Sequence, residues 1–148
     1  MSKVLKLGIA SRNNQSIHEV SSISVKEDQG IIGDRHFKEF NDPYCQLSLI
    51  ESENIDYYNI KYGLNIAYIE FRRNIVTKGI QLNDLIGKKI IIGNVKIEAI
   101  DLCRPCKHLE EILGQENIIK EFLRRGGLRC RILSSSKIYV NDKIKVLD

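Results

Sequence analysis

Two cysteines, Cys103 and Cys106, lie in the stretch Asp101-Leu102-Cys103-Arg104-Pro105-Cys106-Lys107-His108-Leu109. The thiolate is the nucleophilic and metal-binding form of cysteine, and nearby positive charge favours it. Arg104, Lys107 and His108 supply such charge locally. The C-x-x-C spacing fits half of a tetrahedral zinc site, a redox couple, or two small apolar side chains that pack. A zinc site has no second half in the sequence, so it requires Cys45, Cys130, His36 or His108 to converge on the pair. A thioredoxin-like couple requires βαβ surroundings, which the pattern does not contain. Cys45 falls in a strand-like run and Cys130 in another, and both read as core packing. No Ser-His-Asp set, phosphate-binding glycine loop or paired carboxylates stands out, and His18 has no motif context.

The elements that must position these groups are mostly short strands. Partial alternation of apolar and polar residues predicts strands over Val4 to Ala10 and Val20 to Lys26. Gly30 to Pro43 is turn-rich and reads as a loop, the kind of segment on which binding groups concentrate. In it Asp34 is expected to tie down its own turn. Tyr44 to Ile50 reads as the next strand. A helix capped by Ser52 follows, with Ile55, Tyr58 and Tyr62 at helical spacing and Gly63 as its stop, and it is expected to pack on a sheet. Lys89 to Ile92 and Val95 to Ile100 flank Gly93-Asn94 as a tight hairpin. Leu109 to Leu113 and Ile118 to Leu123 read as short helices, with Gly126-Gly127 before a strand over Leu128 to Leu133. Alternation on that strand puts Arg129 and Arg131 on one face. A second hairpin is expected at the end, Lys137 to Val140 with Lys143 to Leu147 around Asn141-Asp142. The result is a mainly β, barrel-like domain with a few helices, and no linker or repeat divides residues 1–148.

Composition narrows the partners. Net charge is +4, from 23 basic against 19 acidic residues, a mild excess that suits an anionic ligand without demanding nucleic acid. Aromatics are only 7% of the chain, short of the stacking platforms that accompany a basic stripe in nucleic-acid readers, so nucleic acid is not an expected partner. No apolar run has the length of a membrane span, and the first residues lack a signal-peptide core, so the expectation is a cytoplasmic protein with reduced thiols.

Four motifs in order carry a family resemblance: Gly30-Ile31-Ile32-Gly33-Asp34-Arg35-His36; Gln46-Leu47-Ser48-Leu49-Ile50-Glu51; Arg72-Arg73-Asn74-Ile75-Val76-Thr77-Lys78-Gly79-Ile80 with Leu82, Leu85, Ile86 and Gly87; and Cys103-Arg104-Pro105-Cys106 followed by Gly126-Gly127-Leu128-Arg129. From about residue 20 to residue 148 the chain resembles a stand-alone MOSC domain, the module named for the molybdenum-cofactor sulfurase C-terminus. The resemblance implies a β-barrel related to the pyruvate-kinase barrel domain. It also implies a site for the molybdenum cofactor (molybdopterin), or for sulfur on its way to a metal centre. Cys106 matches the family's key cysteine, as molybdenum ligand or persulfide carrier. Cys103 belongs to the C-x-P-C form of some members and is the second candidate.

The cofactor's phosphate calls for fixed guanidinium donors. Arg72 and Arg73 lead, with Asn74 and Thr77 as polar partners for the pterin and Arg35, His36 and Arg129 as further walls. For each of these the plainer reading is a solvated charge or a loop-stabilising bond. The resemblance implies partners among cofactor-biosynthesis or sulfur-donor proteins. The alternatives are a small molybdenum-dependent reductase of N-hydroxylated compounds served by an external electron donor, or a zinc-binding or thiol redox protein. Pyridoxal phosphate is not expected of this domain alone.

Overall fold

The computed structural model describes residues 1–12 and 16–147. Eleven strands and three α-helices are present among them. The first strand, β1 (Lys3–Ile9), buries Val4 and Leu7, which strict alternation would put on opposite faces. A register shift between Val4 and Lys6 against β6 (Ile75–Lys78) accounts for this, since a bulge turns both side chains inward. Next come β2 (His18–Val20), β3 (Ser22–Lys26), β4 (Gly30–Ile31) and β5 (Leu47–Glu51), which leads directly into α1 (Ser52–Tyr62). After β6 follow β7 (Lys89–Ile92) and β8 (Val95–Leu102), then α2 (Lys107–Leu113) and α3 (Ile118–Phe122). The chain finishes with β9 (Leu128–Ile132), β10 (Ser136–Tyr139) and β11 (Ile144–Leu147).

Eight strands form one curled sheet in the order β11-β7-β8-β9-β5-β6-β1-β2, and β10-β3-β4 form a smaller one. Within the large sheet β5 and β6 are parallel, and α1 lies in the connection between them, as a parallel pair requires. The curl buries one core inside, including Val4, Leu7, Leu49, Ile75, Ile90, Ile97 and Leu128. A second core lies under the helices, where Ile50 and Val76 meet Ile55, Tyr58, Phe71 and Phe122. The mainly β, barrel-like architecture expected from the sequence is therefore present. The Gly93-Asn94 hairpin pairs Ile92 with Val95, and α1 ends at Gly63 in the left-handed region. Among the described residues no helix is long and apolar enough to cross a membrane.

Four local expectations are corrected. The run from Val20 to Lys26 is two strands in different sheets, because β2 pairs with β1 while β3 pairs with β10. The strand expected from Tyr44 begins only at Leu47: Pro43–Cys45 is a 3-10 turn in which Asp42 Oδ1 accepts the Tyr44 N–H at 2.8 Å. Ser52 is the buried first residue of α1 rather than its cap; Glu51 holds the cap position and makes no side-chain capping bond. The final hairpin does not form. β10 pairs with β3 and β11 with β7, because the turn between them, with Asn141 at φ 75°, spends its backbone on β1. Asn141 N–H donates to Val4 O at 2.8 Å, and Val4 N–H donates to Asp142 O at 2.9 Å.

Candidate functional site

A cleft of about 260 Å³ opens where β5 and β9 meet the Pro43–Cys45 turn and the chain leaving β8. Five arginines line it: Arg35, Arg72, Arg73, Arg104 and Arg129. Arg35 comes from the loop after β4. Its anchor Asp34 is buried, accepts the Ala10 N–H at 3.0 Å and the His36 N–H at 3.3 Å, and pairs with Arg35 at 3.5 Å. Asp34 thus ties down its turn, as expected. Arg72 ends a 3-10 turn (Tyr68–Phe71) in the left-handed region at φ 64°, a conformation costing a non-glycine residue about 1–2 kcal/mol. Arg73 Nε donates to Gly126 O at 2.9 Å. Arg129 grips Asp101 with both prongs of its fork, Nε to Oδ1 at 2.7 Å and Nη2 to Oδ2 at 2.5 Å.

Packing so many guanidinium groups together has an electrostatic signature. Burial pushes the Arg35 pKa down; Asp34 opposes this, and Arg72 and Arg73 push it further down. His36, on the cleft rim, also has a lowered pKa, first through partial loss of hydration and then through Arg35. Its imidazole is therefore neutral at pH 7. A cleft that depresses the charged form of its own bases is preset for an anion, which relieves that repulsion.

The cysteine turn is docked on Gly126-Gly127. Cys103 N–H donates to Gly127 O at 2.7 Å. A Cβ on Gly126 would sit 2.6 Å from Cys103 O, and one on Gly127, at φ 96°, would sit 1.7 Å from Leu49 O. Only glycine allows β5, the cysteine turn and the Arg73 side chain to approach one another here. As a result Cys103 is 5% exposed and lines the cleft. Burial raises its thiol pKa, while Arg73 and Arg129 act in the opposite direction. Cys106 is exposed at the cap position of α2, outside the cleft wall.

The remaining expected residues are placed as follows. Asn74 lines the cleft, but its amide is already engaged: Oδ1 accepts from Ser48 N–H at 3.1 Å and Ser48 Oγ at 3.2 Å, and Nδ2 donates to Gly8 O at 3.2 Å. It pins β5, β6 and β1 together beneath the arginines. Thr77 is fully buried away from the cleft, its hydroxyl donating to Ile50 O at 3.4 Å. Arg131 shares a face of β9 with Arg129 but pairs with Asp28 at 2.6 Å and does not reach the cleft. Cys130 is buried as expected. Cys45, expected in the core, is instead exposed on the 3-10 turn and lines the cleft, because the strand starts after it. Among the described residues no group of three or more His, Cys, Asp or Glu is placed to hold a metal ion by itself, so the cysteines and histidines of the zinc alternative do not converge.

Tyr44, Ser48 and Arg104 also line the cleft. Arg104 is the charge expected beside the cysteine pair, whereas Ser48 lies inside a motif with nothing in the sequence to set it apart. Tyr44 was hidden by the strand expected over it. Residues 32–145 match the MOSC domain family. No curated protein matches the sequence. Among solved structures the chain is similar to the YuaD protein from Bacillus subtilis, with TM-score 0.82, 21% identity, and coverage of 99% of this chain and 96% of that one. It is also similar to YiiM from Geobacillus stearothermophilus, with TM-score 0.79, 15% identity, and coverage of 100% of this chain and 76% of that one. YiiM from Escherichia coli has TM-score 0.70 and 16% identity, with coverage of 97% and 70%. At these identities the likeness is one of fold.

Proposed function

The chain belongs to the MOSC domain family, and we propose that its arginine-lined cleft binds the molybdenum cofactor by the phosphate end, as a carrier or assembly module rather than a self-sufficient reductase. One observation carries this reading: five guanidinium groups converge on a cleft whose wall also contains the Cys103 thiol. That donor set fits the group. Arginine forks match phosphate oxygens, and a soft sulfur suits a sulfur-rich transition-metal centre. When bound, the cofactor supplies a redox-active molybdenum centre.

The chain's own residues do the rest. Arg35, Arg72, Arg73 and Arg104 hold the anion, and neutral His36 can donate or accept at its edge. Asn74, committed to Ser48 and Gly8, keeps the strands beneath the arginines in register. Cys103 Sγ would hold the metal as a thiolate; burial raises its pKa, and the neighbouring Arg73 and Arg129 offset that in part. Exposed Cys106 suits the sulfur-carrying role. Its thiolate attacks the outer sulfur of a donor protein's persulfide, becomes a persulfide itself and releases the donor's thiolate. The partners in this reading are cofactor-biosynthesis and sulfur-donor proteins. An enzyme reading would add an external electron donor.

Anaerobic incubation with supplied molybdopterin cofactor tests the proposal, with molybdenum measured by elemental analysis and pterin by fluorescence after oxidation. The expected result is close to one of each per chain. Cys103→Ser should lower molybdenum and pterin together, because the metal travels on the pterin, whereas Cys106→Ser should keep both and lose labile sulfur loaded from a persulfide donor. Folded wild-type protein that retains neither metal nor pterin would overturn the cofactor reading. Full molybdenum in Cys103→Ser would remove that thiol from the site.

A further inference from the structure

We propose that Tyr44 and Arg129 together form a stacking wall that recognises the flat heterocyclic ring of the ligand, while the other arginines of the cleft recognise its anion. The proposal rests on the cofactor reading above and divides the work inside that site. Arg129 is unlike its neighbours. Its side edge, Nε and Nη2, is held by Asp101 in a bidentate pair, which fixes the guanidinium plane and offsets its charge toward an anion. That fixed plane lies against an aromatic ring, with Cζ 4.8 Å from the Tyr44 centroid. Held charge, planarity and an adjacent ring suit a flat π-system better than a tetrahedral anion.

Tyr44 is positioned for this by its backbone. Asp42 caps the 3-10 turn twice, through Oδ1 to the Tyr44 N–H at 2.8 Å and through its carbonyl to the Cys45 N–H at 3.0 Å. Asn41 Nδ2 bonds to Gln29 O at 2.8 Å and to His36 O, which ties that turn to the loop carrying Arg35. Tyr44 is nevertheless 45% exposed, although it lines the cleft. An exposed aromatic on a rigid turn, facing a fixed guanidinium, is a preorganised platform. Size points the same way. The cleft, at about 260 Å³, is smaller than the roughly 300–1,000 Å³ usual for a whole small-molecule ligand. A phosphate held among its arginines leaves an attached bicyclic ring to extend past its walls, and half-exposed Tyr44 is one of those walls.

The test compares two probes, a pterin monophosphate and inorganic phosphate, by titration calorimetry on wild type, Tyr44→Leu and Tyr44→Phe, with thermal unfolding to confirm that each variant is folded. Tyr44→Leu is expected to weaken the pterin monophosphate about tenfold, in line with the worth of stacking a base on an aromatic side chain. Tyr44→Phe should bind it like wild type, and inorganic phosphate should bind all three equally. Wild-type affinity for the pterin monophosphate in Tyr44→Leu would overturn the stacking role while leaving the anion site standing. Equal losses for both probes would also overturn it, making Tyr44 a support of the arginine loop. If wild type binds neither probe, the cofactor reading fails and this proposal with it.

Discussion

The side chains of the cleft act through what already holds them. Asp101 holds Arg129 and Gly126 O holds the Nε of Arg73, while Asn74 is committed to Ser48 and Gly8. His36 titrates against an excess of positive charge. Its folded pKa lies below the ordinary 6.5, first because it is partly desolvated and then because of Arg35. Between 6.5 and that lower value the unfolded chain binds more protons than the native one, so stability falls as pH drops through this window. Wild type should therefore lose more stability than His36→Asn between pH 7.5 and 5.5 in chemical denaturation. Inorganic phosphate should narrow that difference, since an anion in the cleft restores the imidazolium's pKa. Identical pH profiles for the two proteins would show that neither partial burial nor the arginines depress the His36 pKa. At this scale the sequence disclosed residue types better than their directions. Cys103 and Cys106 were visible as a pair, but which of them enters the cleft depends on how their turn docks on Gly127, some twenty residues later. Thr77, three residues along the chain from Asn74, is buried off the cleft for a similar reason, since alternation alone does not say where a strand passes under the core.

Elements meet at this site through glycine. Gly127 adopts φ 96° with β5 so close that any Cβ would overlap Leu49 O, whereas Gly63 at φ 62° ends α1 with no atom within 4 Å of its Cβ position. Both positions carry the left-handed cost of about 1–2 kcal/mol on substitution by an L-residue. Only Gly127 adds a backbone collision. Gly127→Ala should lower stability by roughly 3 kcal/mol or more in urea denaturation, well beyond Gly63→Ala, and should release the Cys103 N–H to faster hydrogen exchange. Equal losses for the two variants would mean that β5 and β9 yield easily and that the close approach is unimportant. Strands and helices themselves were largely legible, because β7, β8 and α1 announce themselves through alternation, the Gly93-Asn94 turn and the Gly63 stop. The errors fell where a local hydrogen bond outcompeted propensity. Asp42 pulls Tyr44 and Cys45 into a 3-10 turn despite their strand-like composition, and in doing so puts an aromatic ring and a thiol at the cleft.

For the whole molecule the consequential feature is how the sheet closes. β11 and β1 stand at positions one and seven of the eight-strand order, yet the ends of the sheet are joined by bonds from the β10–β11 turn to the start of β1. Ile144 N–H donates to Ser2 O at 3.1 Å, and Lys3 bridges Lys143. A local hairpin was the simpler expectation for Asn141-Asp142. Long-range closure wins because the left-handed Asn141 swings β10 toward β3 and leaves the turn's carbonyl and amide free for Val4. Closure and cleft lie on different parts of the barrel, since none of Val4, Asn141 or Asp142 lines the cleft. The two should therefore separate by mutation. Asn141→Val places a β-branched side chain in the left-handed region and should cost about 1–2 kcal/mol, while Asn141→Gly should cost far less. In the valine variant the Val4 and Ile144 amides should exchange faster, while the Cys103 amide at the cleft keeps its protection and phosphate affinity stays at the wild-type level. Loss of phosphate affinity in Asn141→Val would show instead that barrel closure sets the spacing of the arginines, and that the site depends on the whole sheet.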